Sequence, residues 1–218
     1  MTRALFFDND GVLVDTERLY FAATKQVLER AGFGLSEEEF RQWFLVEGRG
    51  AWHVLEAACV LPDEIARLKD ERNSVYAGML DRADFVIEGV REVLEALHGR
   101  YVMGVVTSSR RDHFERMHRF TGLMPYFDFV LANGDYARSK PHPDPYLAAI
   151  GRSGVPKEQC LAIEDSERGL RSALAAGIRC VVLPTDLTRA LAFDGACRVL
   201  ARISELPALI ASLDATSA

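Results

Sequence analysis

The chain has 218 residues, enough for one large domain or two modest ones, and 49% of them are hydrophobic, enough for a substantial core. A formal net charge of −6 argues against a general nucleic-acid binder and obliges any phosphate site to gather its cations locally. Cys59, Cys160, Cys180 and Cys197 form no CxxC pair, which argues against a zinc site, and no apolar run reaches membrane-spanning length.

The chain opens almost directly into an apolar strand, Ala4 to Phe7, with no n-region or h-region before it. No signal peptide is expected, and cytoplasmic residence is the default. The strand runs into Asp8-Asn9-Asp10-Gly11. Side chains alternate along a strand, so Asp8 and Asp10 can approach one centre from the same side, while Asn9 is expected to face away. Two close carboxylates need a cation or a shared proton, and a hard cation with oxygen ligands is the simplest answer. A solvated acidic turn is the plainer alternative.

Helical spacing follows. Leu19, Ala23, Val27 and Leu28 give an apolar face over Thr16 to Ala31. Ser36 with Glu39 reads as a capping box, and Phe40, Trp43 and Phe44 as the apolar face behind it. Gly48-Arg49-Gly50 interrupts the pattern, which resumes through Trp52, Leu55 and Ala58, and Pro62 starts a last helix reaching Leu80. Residues 15–83 thus read as a block of about four helices without a strand.

From Phe85 strands and helices alternate. Strands are expected near Tyr101–Val106, Phe127–Leu131, Cys160–Ile163 and Ile178–Leu183, with a short one near Val199. Helices are expected over Val90–Leu97, Arg110–Phe120, from Tyr146, over Gly169–Ala176 and around Leu206–Leu213. Such alternation implies an α/β fold: a Rossmann-like parallel sheet with helices on both faces. The helical block is an insertion between the first strand and the rest. The expected organisation is a discontinuous core of residues 1–14 and 84–218 and a helical-bundle cap of 15–83. A cap entering there would overhang the carboxyl ends of the strands, where open α/β sheets hold ligands.

Polar groups follow four apolar segments: Asp8 and Asp10, Thr107, Lys140 in Ser139-Lys140-Pro141-His142-Pro143, and Glu164-Asp165-Ser166. Taken singly, Thr107 fits a cap hydroxyl, Lys140 a surface lysine and Asp165 an N-cap. In this order they resemble the haloacid dehalogenase superfamily, in its phosphatase and phosphomutase branch with a helical cap. The matching stretches are Asp8-Asn9-Asp10-Gly11-Val12-Leu13-Val14-Asp15-Thr16-Glu17, Val105-Val106-Thr107, Lys140-Pro141-His142-Pro143-Asp144-Pro145-Tyr146, and Glu164-Asp165-Ser166 with Gly169.

The resemblance implies Asp8 as nucleophile, forming an aspartyl phosphate, and Asp10 as acid then base. It implies Mg2+ held by Asp8, the Asp10 carbonyl and Asp165, with Glu164 as a further or alternate ligand. Thr107 and Lys140 would contact the phosphoryl group, with Ser108 and Ser109 beside them. The substrate would be a small phosphorylated metabolite, a sugar phosphate first, handled by a monomer, with neither nucleic acid nor membrane as partner. A β-phosphoglucomutase-type activity is the alternative. That pattern has histidine where this chain has Tyr20, arginine where it has Ala51 and asparagine where it has Arg111, although Ser109 matches. In the cap loop, glycines around Arg49 suit a loop that meets an anion on closure, or a simple exposed turn. His53, His98, His113 and His118 read as surface or packing residues, and Arg110, Arg111 and Arg116 as solvated.

Overall fold

A computed structural model describes residues 1–81 and 85–215. The backbone falls into two compact units, Met1–Asp15 with Phe85–Ala218, and Thr16–Asp84.

The first unit is built on a six-stranded parallel sheet. In chain order its strands are β1 (Ala4–Phe7), β2 (Val102–Arg110), β3 (Phe129–Asn133), β4 (Cys160–Glu164), β5 (Arg179–Val182) and β6 (Arg198–Val199). Their spatial order is β3-β2-β1-β4-β5-β6, so β1 lies in the interior and the order reverses beside it. All four residues of β1 are fully buried, as a parallel strand covered on both faces requires.

Alternation sorts β1 between two faces. Ala4 and Phe6 share a core cluster with Val106, Phe129, Ala162 and Tyr146. Leu5 and Phe7 point the other way and are equally buried; Phe7 meets Phe127 edge-on at 5.7 Å. Each such aromatic or aliphatic side chain contributes about 1.5–3 kcal/mol by leaving water.

The second unit holds helices α1 (Glu17–Arg30), α2 (Glu37–Phe40), α3 (His53–Ala57) and α4 (Pro62–Leu80). Ser36 and Glu39 form the full capping box at α2. The expected helix does not continue as an α-helix beyond it. Arg41–Val46 is a π-helix, in which Glu47 N donates to Gln42 O five residues back at 2.9 Å. Phe40 and Phe44 stack at 4.7 Å, and Tyr20 meets Phe44 at 5.9 Å and Tyr76 at 5.1 Å. Aromatic packing fills this unit.

The remaining helices belong to the first unit: α5 (Val90–Leu97), α6 (Arg111–His118), α7 (Asp144–Ser153), α8 (Glu167–Ala175) and α9 (Leu206–Ala215). α6 starts one residue late because β2 runs on through Thr107, Ser108 and Ser109 to Arg110. None of the helices among the described residues is long and apolar enough to cross a membrane.

Candidate active site

Register fixes the neighbours of Asp8. Phe7 pairs with Val105 on one side and Ile163 on the other, so Asp8 stands level with Val106 and Glu164. Asp8 N donates to Ile163 O at 2.8 Å, carrying the ladder one step past the strand. The chain then turns about one oxygen: the Asn9 carbonyl accepts from the amides of Val12, Leu13 and Val14 at 3.3, 2.8 and 3.1 Å. Gly11 makes this possible, with φ +80° and Asp165 Oδ2 only 2.4 Å from where a Cβ would stand.

Lys140 arrives from the loop between β3 and α7, which Arg138 braces by donating to Asp144 at 2.9 and 3.1 Å. Lys140 is 4% exposed, so the surface-lysine reading fails. Its Nζ donates to Val106 O at 2.8 Å and faces Glu164 Oε1 at 2.6 Å and Asp8 Oδ1 at 3.0 Å. Three acceptors match the three donors of an ammonium.

Asp8, Glu164 and Asp165 are buried, and each presents an oxygen within 4.8 Å of the others. Against the one charge of Lys140, three ionised carboxylates leave a formal excess of two negative charges. Burial, then the charge of Glu164, push the Asp8 carboxyl up to about 7 even with Lys140 opposing. Burial works against the charge on Lys140, yet Asp8 and Glu164 outweigh it and hold the ammonium above its ordinary pKa. Glu164 Oε1 accepts from both Lys140 and the buried Tyr146 hydroxyl, the latter at 2.5 Å. Glu164 Oε2 is buried without a hydrogen-bond partner among the described residues. An all-oxygen donor set, surplus negative charge and an unpartnered carboxylate oxygen fit a hard divalent cation. The N-cap of α8 is Ser166, whose Oγ accepts from Gly169 N at 3.2 Å, so Asp165 does not fill that plainer role.

The Asp10 side chain lies outside this acid cluster. Its Oδ2 accepts from Ser109 Oγ at 2.7 Å and from Asn9 Nδ2 at 3.2 Å. Asn9 is fully buried between the second acid and α6: its amide nitrogen reaches Asp10 Oδ2 and Met117 Sδ, and its oxygen faces His118. Thr107 is fully buried and its Oγ1 accepts from Ser109 N at 3.0 Å; Ser108 Oγ accepts from Ser139 Oγ at 2.9 Å. Arg49 lies in the helical unit, paired with Glu47 and 5.9 Å from the Trp43 ring centre. His142 is exposed, and Arg110 and Arg111 pair with Asp112 and Asp135 on the surface.

Two contacts escaped the sequence. Tyr146 on Glu164 had a signal, since the tyrosine stands in the lysine motif. His118 had none. It is 6% exposed, and its Nε2 lies 2.7 Å from Asn9 Oδ1. Burial lowers its pKa to about 4, although the charge of Asp10 pulls the other way.

The chain is 33% identical over 181 residues to a phosphorylated carbohydrates phosphatase of Thermotoga maritima, covering 80% of this chain and 82% of that protein. It is 32% identical over 183 residues to the fructose-1-phosphate phosphatase YqaB of Escherichia coli, covering 81% and 94%. The fold superposes with a TM-score of 0.81 on a crystal structure of mutant CbbY from Rhodobacter sphaeroides in complex with xylulose-(1,5)bisphosphate. That match has 28% identity and spans 94% of this chain and 96% of that one. Residues 5–183 match the model of the haloacid dehalogenase-like hydrolases, and the chain belongs to that family.

Proposed function

We propose that this chain hydrolyses a small phosphorylated sugar through an aspartyl-phosphate intermediate, with Mg2+ as its cation. It is a phosphoric monoester hydrolase. The observation that supports the proposed chemistry best is the buried set of Asp8, Glu164 and Asp165 at the carboxyl end of the sheet, the first two paired with Lys140. Sugar phosphates are favoured because the relatives named above act on phosphorylated carbohydrates or fructose 1-phosphate.

In this reading Asp8 attacks phosphorus while the ester P–O bond breaks. Asp10 gives its proton to the departing sugar oxygen. Water then adds to phosphorus as the bond to Asp8 breaks, and Asp10 takes the water's proton, so inorganic phosphate leaves and both acids are restored. Lys140 and Thr107 stabilise the phosphoryl oxygens. Asp8, Glu164, Asp165 and the Asp10 carbonyl would hold the cation, which would neutralise phosphoryl charge and offset the carboxylate excess. Arg49 would meet the rest of the substrate.

The test is phosphate release with and without Mg2+ over fructose 1-phosphate, pentulose bisphosphates, phosphoglycolate and nucleotides. Mg2+-dependent release, highest with a sugar phosphate, is expected; no release from any of them overturns the reading. A β-glucose 1-phosphate assay primed with glucose 1,6-bisphosphate addresses the mutase alternative. Tyr20 speaks against it, since this residue packs among Tyr76, Phe44 and Arg72 in the helical unit.

A further inference from the structure

Behind the nucleophile lies a polar chain in an otherwise apolar region. Asn9 is fully buried, and Met117, His118 and Thr121 are 2%, 6% and 7% exposed. The Asn9 amide nitrogen has two acceptors, Asp10 Oδ2 at 3.2 Å and Met117 Sδ at 3.2 Å. That choice fixes the amide's orientation and leaves Asn9 Oδ1 facing His118 Nε2 at 2.7 Å. Nε2 must then carry the hydrogen. On a neutral ring Nδ1 is the acceptor, and Thr121 Oγ1 lies 3.0 Å from it as donor. The Thr121 hydroxyl oxygen in turn accepts from Leu123 N at 3.3 Å. Burial that disfavours the imidazolium is consistent with this tautomer.

With the Thr121 hydroxyl hydrogen on the nearer of its two acceptors, His118 Nδ1 at 3.0 Å rather than the His118 carbonyl at 3.5 Å, the direction is outward: Thr121 donates to His118, His118 to Asn9, Asn9 to Asp10. Ser109 donates to the same Asp10 oxygen at 2.7 Å. Two donors on Oδ2 stop the carboxyl group from rotating about its Cβ–Cγ bond.

We infer that Asn9 and His118 are positioning residues for Asp10, holding its carboxyl group in the orientation for proton transfer through the buried chain Thr121–His118–Asn9. The inference rests on the phosphatase reading and adds two residues to it. A purely structural role needs no such polarity: an apolar side chain at position 9 would fill the same space without a buried amide to satisfy.

Kinetics with two leaving groups test this. p-Nitrophenyl phosphate expels a stable phenolate that needs no proton, whereas a sugar phosphate expels an alkoxide that does. Asn9→Leu and His118→Leu are expected to slow sugar-phosphate turnover roughly 10- to 100-fold with little change in KM. With enzyme in excess they should still release nitrophenolate at the wild-type rate. His118→Gln, which returns an N–H donor at similar reach, should recover most of the loss. A parallel fall with both substrates, or no fall with either, overturns the inference. If the leucine variants do not fold, Thr121→Val decides: a loss confined to the sugar phosphate supports the chain, and unchanged kinetics refute it. A wild-type enzyme that cleaves neither ester refutes the phosphatase reading itself, a different result from any of these.

Discussion

Gly169→Ala should destabilise the protein through a single carboxylate. Gly169 occupies the first turn of α8, where alanine is normally the better helix former by up to about 1 kcal/mol. Here a Cβ would stand 1.8 Å from Glu164 Oε2 and 2.0 Å from its carboxyl carbon. The Glu164 head must shift by about an ångström or more to reach van der Waals separation. It is not free to do so, because Oε1 is held by Lys140 at 2.6 Å and by Tyr146 at 2.5 Å. Losing two hydrogen bonds to a buried charge costs on the order of 3–6 kcal/mol, which exceeds the helix gain several-fold. Net destabilisation of about 2–5 kcal/mol is expected, read as a lower urea midpoint by circular dichroism at unchanged m. Gly151→Ala is the matched control: it lies in α7 with nothing within 4 Å of a Cβ, and should stabilise by about 0.5–1 kcal/mol. A Gly169→Ala protein as stable as wild type would refute the account of how Glu164 is held.

Asp8→Asn should abolish phosphate release while circular dichroism shows the fold intact; near-wild-type turnover would remove Asp8 as nucleophile. Arg49→Ala should raise KM more than it lowers kcat, and unchanged kinetics across the substrate panel would remove Arg49 from substrate binding. Chelation by EDTA should stop turnover, and added Mg2+ should raise the melting temperature of the apo protein by relieving the carboxylate excess; a melting temperature indifferent to Mg2+ would count against a cation at Asp8, Glu164 and Asp165. His118 makes stability acid-sensitive. Its folded pKa of about 4 lies below the ordinary 6.5, so the unfolded chain takes up the proton first. Its contribution is complete above pH 6.5 and is lost as pH falls toward 4, amounting to roughly 3 kcal/mol at most. Urea midpoints across that range should fall less steeply for His118→Gln, and identical slopes would show that His118 is not the group responsible.

The strands were legible because apolar runs ending in acids or hydroxyls are patterns along the chain. β1 and β4 could be placed from Ala4–Phe7 and Cys160–Ile163, and the alternation after Phe85 gave the parallel sheet. Other features depend on partners that no local pattern reveals. Lys140 looks like any charged loop residue until three acceptors, from β2, β4 and the residue just past β1, surround it. Asn9 and His118 are 109 positions apart, and a lone histidine on a helix carries no mark of its partner. The π-helix at Arg41–Val46 was hidden for a different reason. Apolar spacing over six residues cannot separate 3.6 from slightly more residues per turn, whereas the hydrogen bond from Glu47 to Gln42 can.

The chain leaves the first unit after Asp15 and comes back at Phe85, and the two crossings are laced together. Asp15 N donates to Phe85 O at 2.7 Å, Ile87 N donates to Leu13 O at 3.1 Å, and Val14 bridges Val86 in antiparallel fashion. Outgoing and returning backbones thus form a two-stranded neck whose geometry does not depend on how long the excursion is. A hairpin-length turn would join the same two ends. Evolution could therefore exchange the excursion for a longer, shorter or unrelated one while the acids at Asp8 and Asp10 keep their posts.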